Sequence, residues 1–110
     1  MNKEQQEQHF DNIVEKMKGI LISKGNDYAS EDRLSNFKSS AQICKSTPEA
    51  ICLGQIAIKV SRLGILLKSQ KPNNESIQDS ILDLANYTIL LDMIVSESQL
   101  VSKTYLTPTK

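Results

Sequence analysis

Apolar residues along the chain recur at three- and four-residue steps. Phe10, Ile13, Val14, Met17, Ile20, Leu21 and Lys24 mark one face of a helix predicted over residues 4–24. Gly25 follows the last of them, where a left-handed C-cap is expected. Residues 25–32 form a polar connection. A second, shorter helix is predicted over 33–44, with Leu34, Phe37, Ala41 and Ile43 turned inward. Thr47-Pro48-Glu49 is the clearest start signal: a side-chain acceptor, a proline suited to the first helical position and an acid at the positive end of the dipole. The third helix should reach Lys68 or Ser69. Lys71-Pro72-Asn73-Asn74 breaks the pattern, and Asn74 is expected to cap a fourth helix over 75–97. The pattern predicts one all-α domain over 1–110, a four-helix bundle with a polar leader (1–8) and a frayed tail from about Ser98.

The third and fourth segments are apolar nearly all round. In the third, only Gln55, Lys59 and Arg62 share a polar stripe when residues are stepped at ~100°. In the fourth, Ile77, Ile81, Leu84, Thr88, Leu91 and Val95 form one face, and Leu82, Ala85 and Ile89 widen it. Glu75, Asp79, Asp83 and Asn86 fall on the opposite side. Helices apolar on most sides are normally buried. Burying two of them in so short a chain is easiest if copies associate, so a homo-oligomer is expected.

Composition narrows the picture. Thirteen basic and thirteen acidic side chains cancel, which removes the usual basis for binding bulk nucleic acid. Two cysteines, Cys44 and Cys52, read as reduced thiols rather than a disulfide framework. The leader has no apolar stretch, and uninterrupted apolar runs fall far short of the ~20 residues that span a bilayer. A soluble cytoplasmic domain without membrane contact is the expectation.

Chemistry concentrates in two places. Between Pro72 and Ser102 stand five acids and no Lys or Arg. Glu75/Asp79 and Asp79/Asp83 are same-sign pairs four apart, a spacing that repels unless a cation is near. That cation is either a divalent ion such as Mg²⁺, which takes oxygen ligands, or the Lys59/Arg62 pair of the preceding helix, in a salt-bridged seam. The second place follows the first helix, where Lys24, Asp27, Tyr28, Glu31, Asp32, Arg33, Asn36 and Phe37 crowd into fourteen positions. Arg33 suits a bidentate phosphate or carboxylate contact. Tyr28 or Phe37 can stack on a base, and each can equally serve as packing. His9 is alone, the four glycines are scattered, and neither cysteine has a His partner, so His-metal, triad and phosphate-loop chemistry are set aside.

Four ordered blocks carry a resemblance: Lys24-Gly-Asn-Asp27-Tyr28, Glu31-Asp32-Arg33-Leu34-Ser-Asn36-Phe37, Lys59-Val-Ser-Arg62-Leu63, and Glu75 through Asp79 and Asp83 to Asn86-Tyr87. Together they resemble the nucleotide-modification-associated domain family, small proteins common in phages and prophages. The resemblance implies a role in nucleotide metabolism or modification. More distantly, the layout is similar to the MazG-like all-α NTP pyrophosphatases, which hold Mg²⁺ with paired acidic motifs on two helices. Asp79 and Asp83, with Glu75, stand where the later motif would be. Glu4 and Glu7 have the letters of the earlier motif but lie in the leader. At the matching stripe of the central helix stand Lys59 and Arg62, and that exchange favours an anion over a metal.

The resulting expectation is a phage-type protein that binds a nucleotide or related phosphorylated small molecule, as a metabolic binder or a sequestering, anti-defence sponge. Its pocket would lie between the third and fourth helices under the 26–36 loop. Lys24, Asp27, Tyr28, Arg33, Asn36, Lys59, Arg62, Asn86 and Tyr87 would bind the ligand, and Glu75, Asp79 and Asp83 would hold Mg²⁺ or orient the cations. The alternatives are a Mg²⁺-dependent nucleoside triphosphate pyrophosphohydrolase and a structural or partner-binding helical oligomer.

Overall fold

A computed structural model describes residues 1–27, 32–71 and 73–106, and the side chains of 1–23, 32–71 and 73–99. It consists of four helices: α1 (Lys3–Asp27), α2 (Ser35–Cys44), α3 (Pro48–Lys68) and α4 (Asn74–Leu106). Each boundary has a local cause. At the N-terminus, the Asn2 and Gln5 side chains each accept from the other's backbone N–H at 2.9 Å. This reciprocal capping box starts α1 at once, so the polar leader is helix rather than a loose lead-in. The helix also runs through Gly25 to Asp27, and the cap expected at Gly25 is not used.

Asp32 Oδ1 accepts from the Leu34 N–H and prepares the first turn of α2. That helix ends on Lys45, at φ 53°, ψ 50°, the one left-handed non-glycine among the described residues. The N–H of Ser46 donates to the Ala41 carbonyl and that of Lys45 to Gln42, a Schellman closure. Thr47 Oγ1 accepts from Ala50 and Pro48 takes the first helical position, as the sequence predicts. For α4 the cap moves back one residue: Asn73 Oδ1, not Asn74, accepts from the Ser76 N–H. The fourth helix continues past Ser98 to Leu106, where a frayed tail was expected. Its 33 residues span ~50 Å at 1.5 Å each, close to the 52 Å long axis of the molecule.

Helices α3 and α4 form an antiparallel hairpin. Glu49, Cys52 and Lys59 meet Ser98, Tyr87 and Asp83 in descending order. Among the described residues, α2 packs on α3 and α1 packs on α4. The core is small. Leu34, Cys52 and Ile94 are its buried members, with Phe37, Ile56, Tyr87, Leu90 and Leu91 packed against them. Cys52 is wholly buried and its thiol donates to the Tyr87 carbonyl oxygen at 3.3 Å. Ala41 is also buried, but Ile43, expected inward, is 81% exposed.

The radius of gyration is 17.1 Å, against ~13 Å for a compact chain of this length. Much of α3 is uncovered, although its apolar circumference predicted burial: Cys52 is its one buried residue. By length and composition alone, Pro48–Lys68 is also long and apolar enough to cross a membrane.

Candidate functional site

The openness of the bundle leaves a cleft. α1 leans on α4 and α2 leans on α3, so the two flanking helices face each other across the hairpin. The space between them measures about 940 Å³. Ile20, Leu21 and Ile22 of α1 form one wall, and Leu34 and Phe37 form the other. Ile51 and Gln55 of α3 join Asp83, Asn86, Tyr87, Leu90 and Met93 of α4 as the floor. Arg33, Asn36, Ser35 and Ser40 stand along the α2 side, with Asp32 and Glu97.

The floor is held by specific bonds. Asn86 is buried, and its amide nitrogen donates to the Met17 carbonyl oxygen at 3.1 Å, tying α4 to α1. Tyr87 and Phe37 meet edge to face, with ring centroids 6.5 Å apart and planes at 86°. That geometry is favourable for two aromatic quadrupoles. Lys59 Nζ lies 3.3 Å from Asp83 Oδ2, with both side chains about three-quarters buried. Across the cleft, Lys38 Nζ lies 2.5 Å from Asp32 Oδ2 and 2.5 Å from Glu97 Oε1, and so links the start of α2 to the distal part of α4. The Lys38 ammonium and the Leu34 N–H hold the Asp32 carboxyl below its usual range. The two carboxylates, Asp32 first, raise Lys38 above its own. Burial pushes the Cys52 thiol up, away from nucleophilic use.

Five of the residues expected to bind ligand or metal meet at this cleft: Arg33, Asn36, Asp83, Asn86 and Tyr87. Lys59 is adjacent through its bond to Asp83, which realises one pair of the expected seam, but it is not part of the lining. Arg62 is exposed on α3 and also lies outside the lining. Lys24 and Asp27 belong to α1, but their side chains, and Tyr28 altogether, lie outside the described residues. Sequence reasoning missed Lys38 and Glu97 as a clamp, Ser40, and the α1 wall. Lys38 carries a signal in retrospect, being six residues from Asp32 across a helix start; Glu97 has none.

No protein family, curated protein or solved structure matches this chain. What the chain does is therefore argued from its own geometry.

The carboxylates expected to hold Mg²⁺ differ in their surroundings. Glu75 and Asp79 are exposed, while Asp83 is half-buried against Lys59. Among the described residues no three His, Cys, Asp or Glu side chains converge. A divalent ion needs several oxygen ligands at one point, and a lysine on the best-placed carboxylate competes with it.

Proposed function

We propose that this chain binds a nucleotide or related phosphorylated small molecule in the cleft between α1 and α2, as a metabolic binder or a sequestering protein of phage type. One observation carries the reading: the cleft gathers Arg33, Asn36, Asp83, Asn86 and Tyr87 from two distant segments around apolar walls. Its ~940 Å³ is the size of a small-molecule site, where a few convergent polar groups orient a ligand between hydrophobic surfaces.

Each residue has a role that follows from its chemistry. Arg33, exposed at the α2 edge, offers a planar fork that matches phosphate oxygens. The base lies between Ile20 and Leu21 on one side and the Phe37–Tyr87 pair on the other. Gln55, Asn36 and the Asn86 carboxamide oxygen read its polar edge. Asp83, oriented by Lys59, accepts from ribose hydroxyls. Lys59 thus positions an acceptor instead of meeting phosphate itself, and Lys38, shared by Asp32 and Glu97, offsets one of the two negative charges at the rim.

The test is a thermal-shift and calorimetry panel of nucleoside mono-, di- and triphosphates and cyclic dinucleotides on the full chain. At least one member should raise the melting temperature by several degrees, since a ligand of the folded state stabilises by mass action. Arg33→Ala should weaken that member by about 10–100-fold, as the loss of a charge-assisted pair requires. A panel with no shift on folded protein overturns the reading, as does a shift that Arg33→Ala and Asn36→Ala leave intact.

A further inference from the structure

Between Leu53 and Leu67 one exposed face of α3 carries no charge. Stepped at ~100° per residue, Leu53, Ala57, Val60, Gly64 and Leu67 form one stripe, spaced four, three, four, three. This is the repeat with which one helix seats against another. Leu53 is 58%, Val60 53% and Leu67 67% exposed, so none of the described residues covers the stripe. The distribution of polarity reverses that of a water-facing helix. Gln55 and Lys59 turn inward to the cleft and to Asp83, while the apolar residues turn outward.

We infer that this stripe is the seam of a homodimer in which α3 pairs antiparallel with α3 of a second copy. Three features select that occupant. The first is area. The chain exposes 8694 Å², whereas a compact monomer of 12.3 kDa exposes ~6,100 Å². The excess exceeds severalfold the ~800 Å² per partner of a standard interface. The second is symmetry. Leu53 and Leu67 stand seven residues either side of Val60, so a two-fold through Val60 puts a large residue at each end of one self-complementary patch. Antiparallel pairing sets Val60 against the partner's Val60 and Leu53 against the partner's Leu67. The third is the small residues. A Cβ added at Gly64 meets nothing within 4 Å, so no contact inside the chain needs a glycine there. Mid-helix glycine costs about 1 kcal/mol relative to alanine, and a closely approaching second helix gives it a use.

A lipid surface is the competing occupant, because α3 is long and apolar enough to enter one. α3 carries no Trp, Tyr or Phe, and so lacks the aromatic anchors of interfacial helices.

Sedimentation of the full chain from about 1 to 100 μM, with vesicle flotation alongside, tests the seam. Wild type should sediment as a dimer and stay out of phosphatidylcholine vesicles. Val60→Lys, at an exposed position, should keep its helical circular dichroism and weaken association at least about a hundredfold, since it buries an unpaired charge. Gly64→Leu should weaken it too, although the single chain has room for the side chain. Ile43→Lys, on the exposed side of α2, should leave association unchanged. In a Cys44→Ser background, a Leu53→Cys chain should cross-link to a Leu67→Cys chain and not to itself. A wild type that stays monomeric throughout overturns the inference. So do association unmoved by Val60→Lys, self-linking of the Leu53→Cys chain, and flotation of a monomer with vesicles.

Discussion

The two sides of α3 are built from nearly the same residues and have opposite fates. Inward, Cys52, Ile56, Leu63 and Leu66 are buried or half-buried against α2 and α4, and Gln55 and Lys59 stand among them. Outward, Leu53, Val60 and Leu67 are more than half exposed, with no charged residue between them on that side. Hydrophobicity alone therefore does not say which side of a helix its own chain covers. In this fold the covering is decided by where α4's polar groups lie. Asp83 draws Lys59 inward, Tyr87 accepts from the Cys52 thiol, and the opposite side of the helix is left exposed.

Mutation should separate the two sides most clearly at the core. Ile94 is 3% exposed and touches Leu34 and Cys52 in the central cluster. Ile94→Ala should cost about 2–4 kcal/mol of unfolding free energy, the transfer loss plus the cavity left behind. Leu67→Ala, on the outer face, should change the stability of the dilute monomer by no more than about 0.5 kcal/mol. Urea denaturation below the association range compares them directly. Equal costs at the two sites would mean that the outer face is covered within the chain.

Much of this architecture is legible in the chain. The Thr47-Pro48 start and the three- and four-residue periodicity locate the helices because those signals are local. The Asn2/Gln5 box went unread because both residues are polar and precede the apolar face. The site was legible in part, for a geometric reason. Stepping around α4 puts Glu75, Asp79, Asp83 and Asn86 on one side but says nothing of position along the axis. Glu75 and Asp79 lie beyond the cleft and face water, whereas Asp83 is met by Lys59 and Asn86 is closed over by α1. The Lys38 clamp joins residues 32, 38 and 97, and no periodicity relates the last of these to the other two.

The same contrast of covered and uncovered surface can be sharpened at α1, the least anchored helix. Among the described residues it packs on α4 alone, and Asn86 supplies its side-chain hydrogen bond to that helix. Asn86→Leu keeps the volume and removes the donor. It should destabilise the fold by about 1–2 kcal/mol. Amide exchange should quicken across 13–23 and stay unchanged in the α3–α4 hairpin, because α1 then opens as a unit below the global unfolding free energy. Quickening spread evenly over all four helices would show instead that α1 and the hairpin unfold together, and that the cleft has no separately mobile wall.

The smallest expected effect belongs to the Lys38 clamp, because its three side chains are each more than two-fifths exposed and solvent screens such pairs. Its pH signature is nevertheless distinctive. Asp32 titrates below its ordinary range in the folded chain, so its contribution is present above about pH 4 and fades as pH falls through the lowered value. Lys38 titrates above its ordinary range, so its contribution is complete below about pH 10 and fades only as pH rises through the raised value. Between those limits the clamp contributes a constant amount. Lys38→Met should therefore lower the melting temperature by no more than about 2 °C at pH 7. The gap from wild type should narrow as pH falls through the lowered Asp32 value, where wild type loses that ion pair, and shrink further in 1 M salt, where the Debye length falls to about 3 Å. A gap that survives both acid and salt would place the stabilisation in the packing of the Lys38 methylenes against α4 instead of in its charge. The rim would then be an apolar bridge between α2 and α4, and it would close the cleft to an anion instead of admitting one.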